Sequence, residues 1–181
     1  MPNYPMNLEE KIKTQIRDIP NFPKSGVIYK DITPLLKDVS LSLEITDAFV
    51  RYWSKYKVDA IVGIESRGFI WGNAIAQRMK LPFVPIRKKG KLPFKTYSHK
   101  YDLEYGSAEI EIHRDGLDQG MNVLVHDDLL ATGGTAKAAA ELIKRSGAEI
   151  AGFSFLVELS FLQGESFLKS YGSPFHSLIT Y

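Results

Sequence analysis

The sequence predicts an α/β protein with a central, mainly parallel sheet flanked by helices, and three observations predict it. Short β-branched and aliphatic runs alternate with segments whose apolar residues recur at helical spacing, which is the signature of βαβ units. Hydrophobic residues make up 44% of the chain and charged residues 24%, the proportions of an ordinary globular protein. At 181 residues, with no repeat, low-complexity segment or linker, the chain is expected to fold as one domain spanning residues 1–181.

Asn7 followed three residues later by Glu10 makes a capping-box pattern. Leu8, Ile12 and Ile16 then recur at helical spacing until Pro20 stops them, so a short first helix is expected. Pro20-Asn21-Phe22-Pro23-Lys24-Ser25-Gly26 has the chemistry of an irregular turn and leads into the mixed segment Val27-Ile28-Tyr29-Lys30-Asp31-Ile32. Behind Ser40, the residues Leu41, Ile45, Ala48, Phe49, Tyr52, Trp53 and Tyr56 mark one helix face, with Arg51, Ser54 and Lys55 opposite, and this face reads as core. Val58-Asp59-Ala60-Ile61-Val62-Gly63-Ile64 suits a strand covered on both faces. Residues 68–79 read as a helix, 81–86 and 122–125 as strands, 134–146 as a helix and 149–159 as a strand. Residues 88–120 break the alternation: Gly90, Pro93, Gly106, Gly116 and Gly120 surround the alternating run Ala108-Glu109-Ile110-Glu111-Ile112, which predicts a hairpin or flap standing off the sheet.

Composition narrows the chemistry. Lys and Arg total 23 against 21 Asp and Glu, and a net charge of +2 provides no general drive toward nucleic acid or an anionic membrane, so any anion affinity is local. The absence of cysteine removes disulfides, thiolate nucleophiles and Cys-ligated zinc. The first residues lack the pattern of a signal peptide and no apolar run approaches the ~18 residues of a membrane span, so a cytoplasmic location is expected.

The segment Val123-Leu124-Val125-His126-Asp127-Asp128-Leu129-Leu130-Ala131-Thr132-Gly133-Gly134-Thr135 is the most informative. An apolar strand delivers two carboxylates at its C-terminal end, where open α/β sheets bind ligands. A small-residue turn then opens a helix whose N-terminus and N–H groups favour a phosphate. The acids repel that phosphate but can accept hydrogen bonds from vicinal ribose hydroxyls, so the ligand reads as a sugar phosphate. Asp-Asp and Gly-Gly alone would equally describe a turn and a helix cap; the complete string is what carries the ligand reading. No Walker loop and no Gly-x-Gly-x-x-Gly competes.

The same string resembles the phosphoribosyl-diphosphate fingerprint of type I phosphoribosyltransferases, and residues 127–135, Asp-Asp-Leu-Leu-Ala-Thr-Gly-Gly-Thr, match the version found in adenine phosphoribosyltransferases. The likeness extends from Phe22 to the C-terminal strand. It implies the family fold, a parallel sheet wrapped by helices with an N-terminal hood (about residues 20–36) and a flexible β flap (about 88–120). It implies transfer of a phosphoribosyl group from 5-phosphoribosyl-1-diphosphate to adenine, yielding AMP and diphosphate in purine salvage, with Mg²⁺ carried mainly by the substrate diphosphate. By resemblance, Asp127, Asp128, Ala131, Thr132, Gly133, Gly134 and Thr135 take the phosphoribosyl group. Glu65, Ser66, Arg67 and Gly68, with Arg87, Lys88 and Lys91, take the diphosphate, Arg67 also serving catalysis. As an isolated run, Arg87-Lys88-Lys89-Gly90-Lys91 would be a solvated basic surface. The match further implies a homodimer in which Arg87 reaches the site of the partner subunit.

Val27, Ile28, Tyr29 and Lys30 are assigned by resemblance to adenine, Tyr29 stacking on it while main-chain groups of Ile28 and Lys30 read its edge; core packing is the other reading of Tyr29. Glu104 and Tyr105, inside the flap, would close over the site, Glu104 handling the proton at the purine imidazole; as a bare sequence feature Glu104 is one more solvated charge. Two departures stand out: Glu65 where some members carry Asp, and His126 where Val is frequent. His126 reads as a strand residue, and His99, His113 and His176 show no metal spacing, so no protein-held metal site is expected. Two alternatives remain on sequence grounds, a phosphoribosyltransferase for another purine and a non-catalytic relative that senses phosphoribosyl diphosphate.

Overall fold

The computed structural model describes residues 6–102 and 106–181. The chain divides into two compact units, Met1–Ala48 and Phe49–Tyr181.

In the first unit, α1 (Leu8–Gln15) starts from the expected capping box: Asn7 Oδ1 accepts the Glu10 N–H at 2.9 Å and Glu10 Oε2 accepts the Asn7 N–H at 3.0 Å. The helix ends where Ile16 turns extended, and the chain enters β1 (Arg17–Pro20), paired antiparallel with β2 (Ile28–Asp31) from Arg17↔Asp31 to Pro20↔Ile28. The hairpin's strands flank the irregular turn expected at residues 20–26, and β2 takes up most of the mixed segment 27–32. All four residues of β1 are exposed, so no apolar alternation announces the strand, and Pro20 is tolerated because the hairpin has free edges. A short helix, α2 (Thr33–Lys37), follows with Pro34 in its first turn, and Asp31 Oδ1 accepts both the Thr33 N–H at 2.9 Å and the Thr33 hydroxyl at 2.7 Å. α3 (Val39–Trp53) begins in this unit and ends in the second.

The second unit is built on a seven-stranded sheet ordered β5-β6-β4-β3-β7-β8-β9. Its parallel part comprises β4 (Phe83–Lys88), β3 (Ala60–Ile64), β7 (Asn122–Leu130), β8 (Glu149–Glu158) and β9 (Phe175–Thr180). Helices α4 (Gly68–Met79) and α5 (Gly134–Arg145) are the crossovers, and a short α6 (Gly164–Leu168) precedes β9. Val62, Ile64, Val123 and Val125 pack with the alanine-rich face of α5, Ala136, Ala138, Ala139, Ala140, Leu142 and Ile143, in one buried cluster. The opposite face of the sheet holds buried Trp53, whose Nε1–H donates to Ser154 Oγ at 3.0 Å, and Phe49 with its ring edge toward His126.

The flap segment corrects the expectation. β5 (Thr96–Asp102) and β6 (Ser107–His113) do form an antiparallel hairpin, but it does not stand off the sheet: β6 pairs with β4 through Arg87↔Glu111 and Lys88↔Ile110. Ile110 and Ile112 are buried in the main core, and their burial draws the hairpin onto the sheet edge. β7 also runs past the expected residue 125 to Leu130, because Leu129 and Leu130 keep pairing with Val157 and Glu158.

Candidate active site

Strand order sets the place. β3 has β4 on one side and β7 on the other, so the chain reverses its direction of winding between β3 and β7, and a crevice opens beyond their carboxyl ends. Gly63 lies opposite His126 in register, so the residues after Ile64 and those after His126 emerge side by side.

From β7 come Asp127 and Asp128. Asp127 Oδ1 accepts the Asp128 N–H at 2.9 Å, and Arg67 Nη2, from the loop after β3, lies 2.9 Å from Asp128 Oδ2, whose side chain is 6% exposed. Burial pushes both carboxyls above the ordinary range, and for Asp127 the neighbouring Asp128 charge adds to the rise, while Arg67 opposes it for both. α4 begins directly against this pair. A Cβ on Gly68 would come within 2.7 Å of Asp127 Oδ1 and 2.9 Å of the His126 carbonyl, so only glycine permits the approach.

The turn after β7 forms the second wall. Asp127, Leu129 to Ala136 and Phe155 line a cavity of about 80 Å³. Gly133, the N-cap of α5, has φ +84° and no side chain to cap the helix, so the first-turn N–H groups of α5 are left for an anion. Thr132 and Thr135 flank it with hydroxyls, and Thr135 Oγ1 lies 3.2 Å from the Tyr101 hydroxyl of β5. Sequence reasoning missed Gly164: a Cβ there would run into the Ala131 carbonyl and come within 3.0 Å of the Gly133 N, so the bare backbone of α6 buttresses the turn. No local signal marks it, because the contact is made across thirty residues of chain.

Glu65 takes a different place from its neighbours in the loop. Its carboxylate, 9% exposed, meets Lys91 Nζ at 2.8 Å and Arg87 Nε at 3.3 Å and accepts the Lys88 main-chain N–H at 2.9 Å. Burial alone would raise its pKa, but Lys91, the Lys88 N–H and Arg87 together bring it below the ordinary value. Glu65 thus gathers the cations expected to face a diphosphate, and Arg87 Nη1 also donates to the Lys91 carbonyl at 3.1 Å. The Lys88 side chain is exposed.

The residues assigned to the base lie in the first unit. Phe22 and Tyr29 meet edge to face at 5.2 Å, Phe22 is 51% and Ile28 58% exposed, and Val27 is also exposed, an unusual outlay of apolar surface for one hairpin. Pro20, opposite Ile28, has no N–H, so the Ile28 carbonyl receives no bond from that neighbour. Lys30 Nζ reaches Asp18 at 2.7 Å. Elsewhere in this unit a cavity of about 220 Å³ near Thr14 and Ser40 is lined by the Lys11–Glu44 ion pair at 2.9 Å and by Asp38, whose carboxylate accepts from the Leu41 N–H and the Gln15 side chain. Glu104 and Tyr105 lie outside the described residues. His126 is fully buried with Nδ1 3.1 Å from Ser154 Oγ, and burial lowers its pKa to about 3, so at neutral pH it is a neutral imidazole and no imidazolium acid. Among the described residues no group of three or more His, Asp or Glu could hold a metal ion, and no helix is long and apolar enough to cross a membrane.

Comparison with known proteins places this geometry. Residues 35–166 match the phosphoribosyl transferase domain family. The chain is 48% identical over 174 residues to the adenine phosphoribosyltransferase of Cytophaga hutchinsonii, covering 96% of each chain. It is 49% identical over 178 residues to that of Streptomyces coelicolor, covering 97% of this chain and 98% of the relative. The crystal structure of adenine phosphoribosyltransferase from Thermoanaerobacter pseudethanolicus superposes with a TM-score of 0.93 at 44% identity, over 97% of this chain and 100% of the other. That of Saccharomyces cerevisiae, complexed with an imino-altritol bisphosphate and adenine, gives 0.88 at 37% identity over 94% of this chain and 98% of the other.

Proposed function

The chain belongs to the adenine phosphoribosyltransferase family, and from that premise we propose how its own residues carry the reaction. It is a pentosyltransferase of purine salvage that joins adenine to 5-phosphoribosyl-1-diphosphate, giving AMP and diphosphate. The observation that carries the residue assignment is the convergence, at the β3–β7 switch point, of Arg67, the Asp127–Asp128 pair and the uncapped N-terminus of α5.

In this assignment the turn 131–135 holds the 5-phosphate through main-chain N–H groups and the Thr132 and Thr135 hydroxyls. Asp127 and Asp128 accept hydrogen bonds from the ribose 2- and 3-hydroxyls. Purine N9 forms a bond to the anomeric carbon as the carbon–oxygen bond to the diphosphate breaks, the electron pair leaving with the diphosphate. Arg67, Lys88 and Lys91, with the Ser66 and Gly68 main chain, stabilise the charge that develops there, Glu65 holds Lys91 for the task, and Arg87 serves the diphosphate in the site of the partner subunit. Val27, Ile28, Tyr29 and Lys30 take the adenine, the Ile28 carbonyl accepting from the exocyclic amine. Glu104 receives the N9 proton and Tyr105 belongs to the covering flap. Mg²⁺ would be carried mainly by the substrate's diphosphate oxygens and water rather than by a cage of protein ligands, none of which is found among the described residues, and it would supply charge neutralisation to the diphosphate as that group leaves. A homodimer and a cytoplasmic location complete the reading.

The test is AMP formation from radiolabelled adenine, with hypoxanthine in parallel. Adenine should exceed hypoxanthine in kcat/KM by up to ~10⁴, since a 6-oxo base leaves the Ile28 acceptor unpaired. Comparable turnover of hypoxanthine would remove the base assignment and spare the family, and binding of phosphoribosyl diphosphate without turnover would identify a non-catalytic relative.

A further inference from the structure

We propose that Tyr101 is a positioning residue for the 5-phosphate, acting through the Thr135 hydroxyl and tying the flap hairpin to the phosphate turn. The inference rests on the reading of residues 131–135 as that turn. Tyr101 stands on β5, opposite Ala108 of β6, with its ring packed against the main core and its hydroxyl 3.2 Å from Thr135 Oγ1. Thr135 is the second residue of α5, in the turn whose helix cap is a glycine with no side chain to offer.

The chemistry of two hydroxyls fixes the direction. A phosphate oxygen only accepts, so a Thr135 hydroxyl that serves it must spend its single proton on the anion. Its lone pairs are then free to accept, and the tyrosine O–H is the donor within reach. A Thr135 rotor held in this way points its proton at the anion before the anion arrives, and the Tyr101-to-Thr135-to-phosphate chain polarises in one sense. A second tie keeps the donor in place: Arg145 Nη1, at the other end of α5, donates to the Ser98 carbonyl of β5 at 3.2 Å and sets its guanidinium 5.1 Å from the Tyr97 ring centre. β5 is therefore bound along α5 at both ends.

The experiment is calorimetric binding of ribose 5-phosphate to the full chain, with KM for phosphoribosyl diphosphate and for adenine measured separately. Tyr101→Phe keeps the ring and its packing and removes only the hydroxyl. It should weaken ribose 5-phosphate about fivefold, the usual yield of one neutral hydrogen bond, and raise KM for phosphoribosyl diphosphate to match, with KM for adenine unmoved. In a Thr135→Val background the same change should have no further effect, and in a Thr135→Ser background, where the hydroxyl returns, the fivefold loss should return with it. Unchanged affinity in Tyr101→Phe beside a weakened Thr135→Val would overturn the inference and leave the phosphate turn standing. Unchanged affinity in Thr135→Val as well would remove the phosphate reading of Thr135 and the inference together. A Tyr101→Phe loss that persists in the Thr135→Val background would reduce Tyr101 to structural support.

Discussion

Replacing His126 by valine removes one titrating group from the centre of the sheet, immediately before the acid pair. The ring is fully buried, with Nδ1 against Ser154 Oγ at 3.1 Å and the Phe49 ring edge-on at 5.1 Å, and burial holds its pKa at about 3 against an ordinary 6.5. Below pH 6.5 the unfolded chain takes up a proton at this position that the folded chain refuses until pH falls to about 3, so stability is complete above 6.5 and drains away across that window as the solution is acidified. The slope reaches ~1.4 kcal/mol per pH unit, and between pH 7 and pH 4.5 the loss from this one group comes to ~2.5 kcal/mol. Urea unfolding of the wild type and His126→Val at half-unit pH steps measures it. The carboxylates titrate alike in both proteins, so the difference between the two curves isolates His126, and the variant should lose ~2.5 kcal/mol less over that interval. Its kcat should stay within a few-fold of wild type, because a ring that is neutral and walled off takes no part in proton transfer. Parallel acid limbs would refute the burial argument, and a hundredfold fall in kcat in a folded variant would refute the non-catalytic reading.

Three further outcomes are expected. Asp127→Asn keeps an oxygen for the Asp128 N–H but removes a carboxylate whose pKa is raised in the fold and which therefore costs stability above the ordinary 3.8; the melting temperature at pH 7 should rise while phosphoribosyl diphosphate binds ~10- to 100-fold more weakly, as read by scanning calorimetry and titration. Gly164→Ala drives a methyl into the Ala131 carbonyl, and overpacking of ~1–3 kcal/mol should displace the turn and raise the Kd of ribose 5-phosphate about tenfold or more; an unchanged Kd would mean that α6 does not shape the turn. Glu104→Gln should lower single-turnover kcat by at least ~10² with phosphoribosyl-diphosphate affinity intact, and a rate within threefold of wild type would leave Glu104 without a catalytic role.

The parts of the fold that could be read from the chain are those where one face decides. Residues 60–64 are buried throughout and α4 spans 68–79 as its apolar spacing requires, because a buried element writes its period into the sequence. β1 has no buried face, and its Arg-Asp-Ile-Pro reads as a helix end followed by a turn. The glycines and Pro93 that interrupt residues 88–120 suggest a flap standing off the sheet; what joins it to the sheet is the burial of Ile110 and Ile112, a tertiary fact that two alternating isoleucines state only ambiguously. At the site, the motif announced the groups that stand within a few residues of one another, the acid pair and the turn. It was silent on Glu65 as the anchor of Arg87 and Lys91, and on Gly164 and Tyr101, whose contacts are closed by the sheet topology and carry no spacing rule.

A polyanionic substrate drawn to a crevice that holds a half-buried and a buried carboxylate looks like an electrostatic contradiction, and the topology resolves it. The chain is nearly neutral overall, so no long-range field attracts the ligand and the work falls to short-range groups placed by strand ends. In the proposed assignment, β7 presents its acids to the ribose hydroxyls and the turn that follows presents N–H donors to the phosphate, so opposite requirements would be met a few residues apart on one strand–turn–helix unit. At the ends of β3 and β4 cations face acids: Arg67, in the loop after β3, stands against Asp128 of β7, and Arg87 of β4 and Lys91 beyond it stand against Glu65. Arg67, Arg87 and Lys91, which the proposed function assigns to a diphosphate, are thus already paired inside the protein, which lowers the cost of holding them beside their neighbours before substrate arrives. Binding then exchanges internal ion pairs for substrate ones, and the net gain is smaller than the count of charges implies. That exchange favours a transition state over a ground state, since the leaving diphosphate gathers more negative charge than the bound substrate had and so competes better for the same cations.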